Sequence, residues 1–538
     1  MRRRLATAAA AAILALSAPT DDALAQGREK VLRIAMTASD VPTSTGMPNN
    51  GFEGMRFLGY PIFEGLVLWD LSRADVPAGI RPGLAERFGQ DPNDPKTWVF
   101  HLRQGVRFHD GTPFDADAVI WNLDRYFRQD SPQFEIQGSA ITRARIPIIE
   151  SYRKLDDSTV AITTTRPVSY FPYLAVYILF TSPASFERGG RDWARVALLP
   201  PAGTGPFRLT RVTPRQSAEL ARNADYWDRA RVPKLDRVVL IPMPEATTRM
   251  AALRSGQVDW IEVPPPDGVD PLRRAGFSIV TNTYPHIWPW LFSLGRTGTP
   301  LADVRVRQGL NWCVDRAGLV TLLNGTAEPA IGFFGADNPM FGSPQNRYGF
   351  DPARGRALLA EAGFGPGNPL RFKVMISTSG SGQMLPLPMN EFLQANLRQA
   401  CGVEVSFEVV EWGVVLVAFR NEPNAPAQAG ADALNISLYT SDPSALARFF
   451  HSANATPVGS NWTHWKDEAF DAALVALETS RDAEETARLI AKAHERVVDN
   501  PPWLFIVHDL NPRAMSRRVV GFTSAQSWFQ DLVPVDIQ

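Results

Sequence analysis

The sequence predicts an α/β protein of more than one domain, and three observations predict it. Stretches of strand period and stretches of helical period alternate along the chain, with caps and glycine turns between them. The 538 residues suffice for two to four domains of ordinary size. Apolar residues make up 45% and charged residues 21%, so a chain of this length can bury a large core without staples.

Taken in order, Val31 to Ala38 reads as a first strand, and residues 39–59, rich in Gly, Pro, Ser and Asn with Phe52 and Phe57 interspersed, read as a loop of the kind that contacts ligands. Residues 99–125 form a strand, a turn and a helix. Val99, His101 and Arg103 alternate with Phe100 and Leu102, Asp110-Gly111 turns, Asp115 caps, and Val119, Leu123, Tyr126 and Phe127 share one helix face. PPAGTGPFRL (200–209) reads as a turn entering a strand, with no Gly-Lys-Ser/Thr to make it a phosphate loop. MAALRSGQVDW (250–260) is a helix ended by Gly256, then a strand. In 301–316, Asp303 caps a face of Val306, Leu310, Cys313 and Val314, and in 351–364 Asp351, Pro352 and Gly363 mark both helix ends. Helices follow at 466–479 and 482–498, then strands at 503–510 and 519–522.

Residues 1–25 read as an export signal: Arg2, Arg3 and Arg4, an apolar stretch from Leu5 to Ala18 too short for a bilayer, and an Ala23-Leu24-Ala25 cleavage site. Cleavage after Ala25 would start the mature chain at Gln26 and place it in the periplasm, with no Cys nearby for a lipid anchor. The formal net charge of −1 becomes −2 without this segment, which argues against nucleic acid as a partner. Whether the only two cysteines, Cys313 and Cys401, pair is open at this stage, and Cys313 on its apolar face also suits a buried free thiol.

The run VFHLRQGVRFHDGTPFDADAV (99–119) resembles the "TFxLRxGVxFHDGTPxxAxDV" pattern of the bacterial extracellular solute-binding proteins of the peptide/nickel type, family 5. Blocks at 60–70, 80–88, 200–209, 222–228, 232–240 and 301–316 extend the resemblance, in the expected order, from about residue 31 to the C-terminus. The resemblance implies a two-lobed periplasmic-binding-protein fold of type II, with mixed sheets and an extra insertion domain. It divides the chain into a signal peptide (1–25), lobe I (26–62, 196–285 and 500–538), an insertion subdomain (63–195) and lobe II (286–499). The implied role is the substrate-binding component of an ABC importer. A monomer without a membrane anchor of its own holds a solute between its lobes and delivers it to permease subunits in the inner membrane. A di- or oligopeptide is the leading ligand; a nickel chelate, an oligosaccharide, an opine or glutathione are the alternatives.

Enzyme chemistry finds little purchase. His494-Glu495-Arg496-Val497-Val498 lacks the second His of a metalloprotease helix, and Ser379-Gly380-Ser381-Gly382 is a flexible loop rather than a nucleophile elbow. The seven histidines show no zinc spacing, and His109 reads as a satisfied histidine beside a turn. No catalytic residue, metal site or cofactor is therefore expected, and a secreted hydrolase is the rival class. LYTSDPSALARFF (438–450) resembles the family's "GDxxDPxxfl" ligand segment, in which an Asp grips the ligand ammonium; here Thr440-Ser441 stand where the family has Gly-Asp. Asp442 is thus either an anchor or the cap of a helix with Pro443 at its first position. Among fourteen Trp, Trp412 is the first choice for a pocket aromatic. Tyr439, Thr440, Ser441, Trp288, Trp462, His508 and Phe52 complete the expected site, and His451 and His464 are the further nickel candidates.

Overall fold

The computed structural model describes residues 29–43, 45–49, 51–380, 382–440, 443–480 and 482–538, with the side chains of Gly51, Phe52, Pro443 and Ala483 left aside. The export signal read at 1–25 lies outside these residues. Val31–Met36 forms because Leu32, Ile34, Ala35 and Met36 can all be buried: it sits inside a seven-stranded sheet, parallel to Arg237–Pro242 on one side and Trp260–Glu262 on the other. The full order is Ser278–Val280, Arg513–Met515, Trp260–Glu262, Val31–Met36, Arg237–Pro242, Ser217–Arg222, Phe207–Thr213.

A second seven-stranded sheet runs Ala327–Pro329, Trp503–Asp509, His286–Phe292, Ala433–Asn435, Arg371–Ser377, Glu404–Val410, with Leu438–Tyr439 also paired to His286–Phe292. The chain passes between the two sheets at 281–285 and again at 510–512. These crossings lie side by side: the Asn282 N–H donates to the Leu510 carbonyl at 3.3 Å. The expected return to lobe I at residue 500 is corrected here. All seven residues of Trp503–Asp509 are buried, and the strand pairs antiparallel with His286–Phe292 in the second sheet, so the return comes only after Asp509.

Ala85–Asp91, Asp94–Leu102, Thr159–Thr164 and Ile149–Asp156 make a separate four-stranded antiparallel sheet. Helix Ala116–Phe127 packs on it through Val119, Leu123 and Tyr126, and Asp115 caps it by accepting the Ala118 N–H at 2.9 Å. His109 pins this unit to the 200–209 turn. Its Nε2 lies 2.9 Å from the Gly205 carbonyl and its Nδ1 accepts the Gly203 N–H at 3.3 Å. Burial lowers its pKa to about 4, which keeps the ring neutral. Gly203 is required there, because a Cβ would stand 2.0 Å from the Ile62 carbonyl oxygen.

Two expectations change. Residues 39–59 are not all loop: Gly51–Gly54 is helical and continues as a π-helical turn over Met55–Gly59. The charged residues that hide this element are buried partners, Glu53 accepting from Thr37 N–H and Oγ1 at 2.6 Å and Arg56 paired with Glu262. Cys313 is not a free thiol. It is bonded to Cys401, joining the ends of helices Val304–Cys313 and Pro386–Cys401 across a Cα–Cα distance of 6.2 Å. Gly355 of helix Pro352–Glu361 lets that helix lie against the bridge, since a Cβ there would meet the Cys313 Sγ at 2.4 Å.

Candidate functional site

A cavity of about 650 Å³ opens between the parts of the chain carried by the two large sheets. Its volume suits a small organic ligand. One wall is the chain leaving Val31–Met36, from Thr37 to Thr43 and again at Pro48 and Asn49, together with Gln137, Ile141, Ala144 and Arg145 of helix Ile136–Arg145. Glu53 braces this wall from behind through Thr37, and burial raises its pKa against the opposing effect of those hydrogen bonds. The other wall is helix Trp412–Ala418, which follows strand Glu404–Val410, with Ile436 to Leu438, Arg448 and Ser460. Trp528, from the C-terminal segment, closes one side, its ring 4.8 Å from the Arg56 guanidinium.

Two glycines shape the wall. Gly380 has φ +143° and carries the Trp412 indole directly on its Cα, so that a Cβ would lie 2.5 Å from the Trp412 Cδ2. Gly382, φ +72°, does the same for Trp528 and His286, each 2.8 Å from its Cβ position. The walls also touch. Arg448 Nε donates to Ser460 Oγ at 3.1 Å, and that hydroxyl donates across the cleft to the Ala144 carbonyl at 2.9 Å. Farther out, Arg166 and Glu478 pair at 2.7 Å while Ser169 Oγ donates to the Leu477 carbonyl at 2.8 Å. Burial raises the Glu478 pKa, with Arg166 pulling the other way.

The family model for bacterial extracellular solute-binding proteins, family 5 Middle, matches residues 79–457. The chain belongs to this family. A di/tripeptide-binding protein of Pseudomonas aeruginosa is 26% identical over 97% of both chains. A glutathione-binding protein of Salmonella typhimurium is 26% identical over 80% of this chain and 81% of its own. The solved periplasmic binding protein of Helicobacter pylori in complex with peptide STSA superposes with a TM-score of 0.79 at 21% identity, over 94% of this chain and 98% of that one. The family's fold is thus present: two lobes, type II, with mixed sheets. Family 5 members are solute-binding proteins, and no helix among the described residues is long and apolar enough to cross a membrane.

Within this family 5 chain, Trp412 lines the cavity and is half-buried, with its Nε1–H unpartnered among the described residues. Ser441, Asp442 and the side chain of Phe52 lie outside the described residues. Five others of the expected residues stand outside the lining of this cavity. Trp288 is fully buried because its strand is covered on both faces, and Trp462 is 1% exposed with its Nε1 donating to the Ala418 carbonyl, behind the helix that forms the wall. Tyr439 sits one layer back, under the Arg448 guanidinium at 5.3 Å, and the Thr440 N–H is used by the Pro285 carbonyl at 2.8 Å. His508 is buried, bonds the His286 carbonyl through Nδ1 at 3.3 Å and has its pKa lowered to about 4 by burial. The nickel candidates His451 and His464 are also engaged elsewhere, with the Ala453 N–H and the Thr456 hydroxyl. Sequence reasoning missed Trp528, Gly380, Gly382 and the arginines of the cleft. The Gly-x-Gly spacing beneath two aromatic rings is the one local signal among these.

Proposed function

We propose that the protein captures a small peptide in this cavity and presents it, chemically unchanged, to the permease subunits of an ABC importer. The observation that carries the reading is the cavity itself, enclosed between two walls that belong to different sheets and meet across Ser460 and Ala144. A ligand bridging such walls stabilises the closed arrangement, and only its preference for that arrangement shifts the equilibrium. Moving from 1% to 99% closed takes about 5.5 kcal/mol. A micromolar ligand supplies about 8 kcal/mol, which is sufficient. The names of the Pseudomonas relative and of the Helicobacter complex support peptide as the ligand class.

The sheets support a division into lobe I, an insertion subdomain carrying the four-stranded sheet, and lobe II, with the crossings 281–285 and 510–512 as the hinge. A periplasmic location suits the Cys313–Cys401 bridge, since disulfides persist in oxidising compartments. Calorimetric titration with di- and tripeptides, with solution scattering on the same samples, tests the reading. Saturable binding should come with a smaller radius of gyration, and the peptide should be recovered intact. Hydrolysis of the bound peptide would instead establish the rival class.

Asp442, the residue before helix Pro443–Phe450 in the sequence, remains a proposed anchor for the peptide ammonium group. Asp442→Asn preserves a good capping residue, so the melting temperature should hold. Loss of the charge should weaken peptide binding by about 2–5 kcal/mol. Unchanged affinity would leave Asp442 as a helix cap alone.

A further inference from the structure

Three arginines line the cavity: Arg145 from one wall, Arg420 and Arg448 from the other. Arg448 acts as a like charge on both of the others. The Arg145 pKa is lowered to about 10, first by burial and then by Arg448, and that of Arg420 is lowered by the same two causes in the same order. Arg448 spends its Nε on Ser460 and lays its guanidinium 4.9 Å from the Phe449 ring, yet its Nη1 is buried without a hydrogen-bond partner among the described residues. Arg420 and Arg448 have no ion-pair partner among those residues. The carboxylates of the lining lie elsewhere: Asp40 is held by the Val41 and Arg215 N–H groups, and exposed Glu411 precedes Trp412.

Helix Trp412–Ala418 therefore presents a polarised wall, with Glu411 and the indole at its start and Arg420 just past its end. The separation from Trp412 to Arg420 is about 12 Å along the axis. An extended peptide covers that in about three to four residues. Two guanidinium groups at one end, neither with an ion-pair partner among the described residues, exceed what a single chain-terminal carboxylate neutralises.

We propose that the preferred ligand is a net-anionic solute of about tripeptide length, with its carboxylates against Arg448 and Arg420. This inference rests on the peptide reading above for the ligand's backbone, but on the arginines for its charge. Charge-assisted hydrogen bonds set the expected discrimination at about tenfold or more.

The test is calorimetric titration of the full-length mature protein with Ala-Glu-Glu, Ala-Ala-Ala, Ala-Lys-Lys and, as an anion without a peptide bond, citrate. Ala-Glu-Glu should bind at least tenfold tighter than Ala-Ala-Ala, and Ala-Lys-Lys weakest. Arg448→Gln should erase that preference, read as the ratio of the Ala-Glu-Glu and Ala-Ala-Ala affinities, whatever its effect on Ala-Ala-Ala itself. Arg420→Gln, at an exposed position, should reduce it if Arg448→Gln fails to fold. An amidated Ala-Glu-Glu separates the two sources of carboxylate: a small loss assigns the arginines to the side chains, a tenfold loss to the chain terminus, and both retain an anionic ligand. Citrate binding that depends on Arg448, with no peptide bound, would uphold the charge inference and refute the peptide reading. Equal affinity for Ala-Glu-Glu and Ala-Ala-Ala would overturn the inference while sparing the peptide reading, and no binding by any probe would overturn both.

Discussion

Trp412→Ala is expected to weaken ligand binding by about 2–4 kcal/mol, the range of a well-seated interface aromatic. The indole lines the cavity and rests on Gly380. Its stability cost should be much smaller, because the ring is half-buried rather than part of the core. A core Trp would cost about 3–5 kcal/mol of folding free energy instead, and that result would make Trp412 structural. Gly380→Ala provides the independent arm. It leaves Trp412 in place but forces a Cβ into the ring and strains a backbone at φ +143°, so it should lose affinity in the same direction. Retained affinity in both variants would remove Trp412 from the binding site.

Replacing Cys313 and Cys401 together by Ala should lower the unfolding free energy by about 4–5 kcal/mol, from the chain entropy released by opening an 88-residue loop. Neither residue lines the cavity, so ligand affinity at a temperature where the variant is folded should match the parent protein. Urea denaturation with and without reductant measures the first quantity and titration the second. A shift under about 1 kcal/mol would mean that Gly309, Gly355 and the surrounding apolar packing hold these three helices without the bridge.

Local physics was readable in advance. Asp115, Asp303 and Asp351 cap helices where the sequence places them, each accepting an N–H two or three residues on. The hidden part depends on partners distant in the chain. Trp288 and Trp412 both sit beside strand patterns; one is covered by two layers and the other faces a cleft, a difference made by segments dozens of residues away. Gly380 and Gly382 read as loop punctuation because the rings they carry, Trp412 and Trp528, are far along the sequence. Residues 39–59 read as loop because buried Glu53 and Arg56 count as surface residues until Thr37 and Glu262 are known to meet them. The family resemblance supplied the lobes, and it erred at residue 500, where an apolar strand that suits either sheet joins the second.

The place of Arg513–Met515 in the first sheet has a consequence for how the molecule is made. This strand lies between Trp260–Glu262 and Ser278–Val280, pairing with both, yet it is among the last segments of the chain. A polypeptide delivered N-terminus first must hold a slot open inside that sheet until residue 515 arrives. Until then the slot exposes unpaired backbone on two edges, which invites association with other chains. Closure over so long a sequence interval is also slow. The topology thus delays commitment to the native state until the last strands are made, and leaves an open slot in every shorter chain.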